Sequence, residues 1–238
     1  MIALTEKVLA RRPARVVERL GEASRVCLLS SRDIFELLKE QPIIIMACNT
    51  RIRHAVPGIL RAAQELDAVV AFELAKSEGD VDGGYTGQDP ETFFQTVVGY
   101  AQDLRFDRPF FIHGDHITVK DASDKALASA RRLIEAEMQA GYTSFAIDAS
   151  FNELEDNIRI TAELARDIQE KGYGLEVEVG EIKSAGTEAE ITTVEEAEAF
   201  IRGLRDGGIQ PSLLAINNGS KHGNYLEGEK IHIDLERT

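Results

Sequence analysis

Cysteine is scarce in this chain: of 238 residues, only Cys27 and Cys48 carry a thiol. Two thiols among apolar neighbours make neither a disulfide framework nor a C-x-x-C metal motif. They fit buried thiols in a reducing compartment. Basic residues are also in deficit, 27 against 41 acidic ones, for a formal net charge of −14. Such a chain repels a phosphate backbone, which argues against nucleic acid as a partner. An anionic membrane surface is disfavoured on the same grounds. A small anion can still be held locally by backbone N–H groups and helix N-termini. No window approaches the about 20 apolar residues of a membrane span, and the N-terminal residues lack the apolar stretch of a signal peptide. What remains is a soluble protein, expected in the cytoplasm, long enough to bury the core of an α/β domain. It has no low-complexity segment and no internal repeat beyond a strand–helix period.

That period is the main positive signal. Residues 1–30 read as an N-terminal helical extension, basic from Thr5 to Leu20 and interrupted by Pro13. Residues 31–238 read as a βα unit array, opening at Ser31 ahead of the periodic Ile34, Leu37 and Leu38. Strands are predicted at Pro42–Ala47 (buried), Ala68–Glu73, the run ending at His113, Thr143–Asp148, Leu175–Val179 and Ser212–Asn217. Helices are predicted from Ala55 to Leu66, from Asp89-Pro90 to about Leu104, from Ser123 to Ala140, from Asn152 to Lys171, and from the capping sequence at Thr193 to about Arg205. A Gly-rich loop covers Ser77 to Gln88, and Gly141 is a natural helix stop. The Ile231–Ile233 stretch is too short to assign.

Strand–helix alternation with short connections argues for a parallel sheet. A complete eight-fold barrel takes about 250 residues, more than remain after residue 42. The sheet is therefore either open and doubly wound, or a barrel of which six units are present.

In such folds chemistry sits beyond the carboxyl ends of the strands. The run Phe110-Phe111-Ile112-His113-Gly114-Asp115-His116 ends an apolar strand in a carboxylate and an imidazole, a general base and a metal ligand at one point. Other strands end in Asn49, near Glu73, and in Asp148. Glu176 and Glu178 share one side of theirs, and buried strands rarely hold unpaired carboxylates because desolvation is costly. The sixth leads into Asn217-Asn218-Gly219-Ser220-Lys221-His222-Gly223. Two histidines and a carboxylate, here His116, His222 and Glu178, can bind zinc and leave one position open.

These residues resemble the class II, zinc-dependent ketose-bisphosphate aldolases. Their His-x-Asp-His motif is matched by His113-Gly114-Asp115-His116. Their Gly-Phe-Thr-Ser-x-x-x-Asp-x-Ser is matched by Gly141-Tyr142-Thr143-Ser144-Phe145-Ala146-Ile147-Asp148-Ala149-Ser150. Glu-x-Glu-x-Gly is matched by Glu176-Val177-Glu178-Val179-Gly180, and Gly-x-x-His-Gly-x-Tyr by Gly219 to Tyr225. The resemblance implies a TIM (β/α)8-type barrel with about six units present. It implies aldol cleavage of a ketose bisphosphate, such as fructose 1,6-bisphosphate, to dihydroxyacetone phosphate and an aldehyde, in glycolytic carbohydrate metabolism. By the same resemblance Asp115 is the acid/base, and His116, His222 and Glu178 hold Zn2+. Gly223 binds substrate phosphate and, in many members, K+ or Na+; Asn49 and Asp148 orient the substrate. Members commonly form dimers or tetramers.

The chain departs from the family in two places. The third zinc histidine, in Leu-His-Gly-x-Ser, and a later phosphate-binding Asn-x-x-Thr have no counterpart. The expectation is that the sequence is a fragment of a longer protein, weakly active or inactive alone. The stretch Glu181-Ile182-Lys183-Ser184-Ala185-Gly186-Thr187-Glu188 is also altered, leaving Glu181 and Glu188 as weak candidates for protonating the enediolate. Finally, Gly83-Gly84-Tyr85-Thr86-Gly87-Gln88-Asp89-Pro90 resembles a stretch of the non-catalytic accessory subunit of tagatose-bisphosphate aldolase. That gives an alternative function, partner binding without turnover. A turn feeding a proline-started helix is the competing explanation of the same residues.

Overall fold

A computed structural model describes residues 6–180 and 191–219. Its centre is a sheet of six parallel strands: β1 (Met46–Asn49), β2 (Val70–Ala75), β3 (Phe110–Thr118), β4 (Ser144–Asp148), β5 (Gly174–Val179) and β6 (Leu213–Ile216). They lie in the order β1-β2-β3-β4-β5-β6. Each strand pairs with its sequence neighbour, so the order never reverses. That excludes the doubly wound alternative, which needs a reversal point. The result is a half-barrel wrapped by helices, of the TIM type.

The helices are α1 (Glu6–Leu9), α2 (Ala14–Leu20), α3 (Ser31–Leu38), α4 (Val56–Leu66), α5 (Lys76–Gly79), α6 (Pro90–Asp103), α7 (Asp124–Ala140), α8 (Leu154–Glu170) and α9 (Val194–Asp206). Local chemistry sets their ends. Pro13 separates α1 from α2. Asp89 caps α6 by accepting from the Thr92 N–H at 2.7 Å, with Pro90 in the first turn. Ser123 caps α7 and Thr193 caps α9 in the same way. Gly141 stops α7 at φ +110, a conformation that favours glycine.

Helices α4 and α6 to α9 press Leu60, Phe93, Phe94, Leu133, Ile160, Phe200 and their neighbours against one face of the sheet, where Phe72, Phe110, Ile112, Phe145 and Val177 meet them. Each fully buried large side chain stabilises the fold by about 1.5–3 kcal/mol. A smaller cluster lies apart from this core: Leu9, Cys27, Leu29, Ile34, Ala71 and Phe111, backed by Phe35 and Leu38. Residues 26–29 belong to this architecture, since Leu28 bridges Phe110 and the Leu29 N–H donates to the Phe110 carbonyl at 2.9 Å. Among the described residues no helix is long and apolar enough to cross a membrane.

Two strand expectations need correction. Pro42–Ala47 is not a buried strand: β1 starts at Met46, and Ile44 is 92% exposed. The cause is position, because β1 is the sheet edge and no described strand flanks its outer side. The third strand does not end at His113 but runs on to Thr118. His222, Gly223, Glu181, Glu188 and the Ile231–Ile233 stretch lie outside the described residues.

Candidate metal centre and active site

Alternation along a strand sends Asp115 and His116 to opposite faces. The structure breaks that alternation. The β3–β4 register shifts between Gly114 and Ile117, the signature of a bulge, and His116 takes φ +50. A positive φ is strained for histidine, at about 1–3 kcal/mol, and bulges are used to re-aim side chains beside active sites. Here the imidazole swings round to the carboxylates of β4 and β5. His116 Nδ1 lies 3.3 Å from Glu178 Oε1 and 3.3 Å from Asp148 Oδ2. All three ligand atoms fall within 4.8 Å of one another.

The polar atoms of this cluster are unevenly satisfied. Asp148 is fully buried; its Oδ1 accepts from the Ser150 N–H and hydroxyl at 3.0 and 2.6 Å. Among the described residues its Oδ2 is buried without a hydrogen-bond partner. An unpartnered buried carboxylate oxygen is costly, and one aimed at an imidazole and a second carboxylate is where a cation would be welcome. The hydrogen bond that the His116 ring donates to Glu178, with the charges of Asp148, Glu178 and Asp115, raises the His116 pKa to about 9 against the opposing pull of burial. Burial first, then the Asp148 and Glu176 charges, pushes Glu178 up to about 7, with His116 opposing. The Glu178 backbone is fixed from behind, since the buried Asn157 amide donates to its carbonyl at 3.0 Å.

A second cluster lies deeper on the same face. Glu73 on β2 and His113 and Asp115 on β3 bring their ligand atoms within 4.8 Å. His113 Nε2 is 3.5 Å from Glu176 Oε2, and its Nδ1 is 2.8 Å from the Ser144 hydroxyl. Ser144 reaches on to the Ser31 hydroxyl of α3 at 2.6 Å. Burial lowers the His113 pKa, but Glu176, Asp115 and Glu73 outweigh it and hold the group at about 9. Burial and the Asp115 charge raise Glu73 to about 7. Asp115 is raised by burial too, and pulled back by the imidazoles of His113 and His116. Gly114 leaves no room for a side chain: an added Cβ would lie 2.1 Å from Glu137 Oε2 on α7.

Asn49 is brought to the same mouth but is already engaged. Its amide donates to Glu78 Oε2 at 2.6 Å, and its Oδ1 accepts from Arg51 Nε at 3.0 Å. Glu78 also accepts from the Ala75 N–H, the Tyr85 hydroxyl and Arg51. Burial opposes ionisation of Glu78, yet these donors hold its pKa below the ordinary value. The Gly83–Gly87 loop is thereby tied inward through Tyr85 and Thr86, as a turn feeding α6. Of the expected site residues, Asp115, His116, Glu178, Asp148 and Asn49 all lie at the carboxyl ends of strands, with His116, Glu178 and Asp148 in direct contact. Glu73 was noted in the sequence only as a strand end, and His113 was given no role.

The family model described as "Fructose-bisphosphate aldolase class-II" matches residues 29–238. A fructose-bisphosphate aldolase of Ureaplasma parvum serovar 3 is 30% identical over 205 residues, covering 85% of this chain and 63% of that protein. One from Streptococcus pyogenes serotype M1 is 26% identical over 208 residues, covering 85% and 62%. The crystal structure of the YdjI aldolase from Escherichia coli K12 superposes with a TM-score of 0.65 at 22% identity, covering 88% of this chain and 66% of that one. The chain thus spans about three fifths of the length of the curated relatives it matches.

Proposed function

The chain belongs to the class-II fructose-bisphosphate aldolase family, and on that premise we propose that its site performs metal-dependent aldol cleavage and condensation of a phosphorylated ketose. One observation carries the reading: the bulge that sets His116 against Glu178 and the unpartnered oxygen of Asp148, with Asp115 beside it. The imidazole and two carboxylates fit a divalent ion such as zinc, and a bound ion supplies a Lewis acid for a ketone oxygen. His116, Glu178 and Asp148 would hold it. His222, outside the described residues, is the further ligand we assign.

Asp115 serves as the acid/base. Half-buried, with the charges of the His113 and His116 imidazoles acting on it, it takes the proton of the substrate hydroxyl as the carbon–carbon bond breaks and returns it on condensation. His113 orients it from below. Asn49 stiffens the rim through Glu78. The loop at Gly223 binds the substrate phosphate and a monovalent cation in this assignment. We place the reaction in the cytoplasm, in a homo-oligomer.

The test uses the full chain. Zinc content after dialysis and cleavage of fructose 1,6-bisphosphate in a coupled assay are measured for the wild type and for Asp115→Asn, His116→Ala and Glu178→Gln. The expected result is zinc binding that needs His116 and Glu178, and a turnover, weak in the chain alone, that falls further by about 10²–10⁴-fold in Asp115→Asn with zinc retained. Zinc binding indifferent to both ligand substitutions, or no zinc binding at all, would sink the proposal.

A further inference from the structure

We propose that Glu137 on α7 is a positioning residue for Asp115 and His116: its carboxyl fills the place that a side chain at Gly114 would take, and so fixes the bulge that turns His116 to its partners. The contact stands on geometry alone; that it serves metal binding rests on the aldolase reading above.

Gly114 lies between His113 and Asp115, which turn to the site, so its own position on β3 faces the helical layer. It pairs on both sides, with Leu74 on β2 and Phe145 on β4. It is also the last residue of β3 in register with β4 before the slip. A strand position without a side chain has nothing to pack, and its register is weakly specified. Glycine therefore stands where the strand most needs to be pinned.

Glu137 supplies what Gly114 lacks. The three atoms nearest to the place of a Gly114 Cβ all belong to its carboxyl: Oε2 at 2.1 Å, Cδ at 2.7 Å and Oε1 at 2.9 Å. A planar group is thin enough to lie against a backbone that carries no Cβ. Glu137 is 2% exposed, and among the described residues its Oε2 has no hydrogen-bond partner. Hydrogen bonding by that oxygen therefore does not account for a carboxyl in this layer. Burial first, then the charges of Asp80 and Asp115, holds its pKa well above the usual carboxylate range, with the His113 imidazole opposing. The group is neutral, and shape is what it contributes.

The base of this wedge is rigid. The Glu137 carbonyl accepts from the Gly141 and Tyr142 N–H groups, both at 3.0 Å, where α7 closes. One residue on, the Thr143 N–H donates to the Ile112 carbonyl at 3.0 Å. The wedge is thus tied to β3 at Ile112 and presses on it at Gly114. Just beyond, the strand leaves its register, and His116 takes φ +50 to meet Glu178 and Asp148. Without the carboxyl, the glycine is free to relax toward regular alternation, which would send Asp115 and His116 to opposite faces.

The full chain is compared with Glu137→Gln, Glu137→Ala, Gly114→Ala and the Gly114→Ala/Glu137→Ala double variant. Zinc affinity is measured by calorimetry, the urea midpoint by denaturation, and the His116 ring by NMR of the metal-free protein, its signal assigned by loss in His116→Ala. Glu137→Ala should weaken zinc about 10–100-fold and move the His116 signal. Glu137→Gln, planar and neutral, should stay close to the wild type. The double variant, which puts a methyl where the carboxyl lay, should recover most of the loss. Gly114→Ala alone sets that methyl against the carboxyl and should weaken zinc as well, which decides the matter if Glu137→Ala does not fold. A His116 signal unchanged in Glu137→Ala overturns the proposal, whatever the urea midpoint does. So does unchanged zinc affinity in that variant when the wild type binds zinc. Glu137→Gln behaving like Glu137→Ala, or a double variant no better than Glu137→Ala, overturns it too. If the wild type binds no zinc but the signal moves in Glu137→Ala and returns in the double variant, the positioning role stands and the metal reading falls.

Discussion

His113 and His116 stand three residues apart on one strand, each an imidazole among carboxylates, yet the two settings differ in nearly every physical respect. His113 is 3% exposed, with one nitrogen on Ser144 and the other facing Glu176. Ser144 leads on to Ser31, so the deeper cluster is anchored to α3. The His116 side chain is 40% exposed, opens on a cavity of about 590 Å³, and faces a carboxylate oxygen that has no hydrogen-bond partner among the described residues. The residue types are the same; satisfaction and access separate them. A histidine with both ring nitrogens engaged fixes strands, whereas one that faces an unsatisfied oxygen at an open mouth is ready for a ligand.

Substitutions should separate the two further. The largest effect is expected from His116→Ala, which removes metal binding and turnover together with little change in the urea midpoint; alanine keeps the Cβ and so the strain at φ +50, which only His116→Gly would relieve. Metal analysis and denaturant unfolding read both. His113→Ala should do the reverse: it leaves half-buried carboxylates without their cation and costs about 1–3 kcal/mol of stability, with metal binding retained. If instead it abolished metal binding at unchanged stability, the roles assigned to the two histidines would have to be exchanged. The pH dependence follows from the same residue. His113 rises from 6.5 free to about 9 in the fold, so its stabilisation is complete below pH 6.5 and fades as pH climbs toward 9. Thermal midpoints should fall across that window in the wild type and fall less in His113→Ala. The smallest effect is expected of Ser144→Ala, which leaves the Ser31 hydroxyl and His113 Nδ1 unpaired and costs about 1–2 kcal/mol without touching metal affinity.

Much of this architecture was legible in local chemistry. Asp89, Ser123 and Thr193 announced their helices because a cap is a contact over three residues. Asp115, His116, Glu178 and Asp148 were named from strand ends and motif resemblance. What escaped was non-local. Nothing near Pro42–Ala47 says that this apolar run borders an open edge, since burial depends on a neighbour far away in sequence. Simple alternation forbids Asp115 and His116 from sharing a face; only the register slip against β4 permits it. The deeper cluster joins β2, β3 and β5 through Glu73, His113 and Glu176, across about a hundred residues of chain.

The left-handed backbone at His116 has one more consequence. Glycine or asparagine would sit there with less strain, so the fold and the chemistry make opposing demands on a single codon. A library of this chain screened for thermal tolerance alone should drift away from histidine at that position, and the winners would be well-made barrels with nothing to hold. Screened for turnover, the histidine should persist at a standing cost in stability.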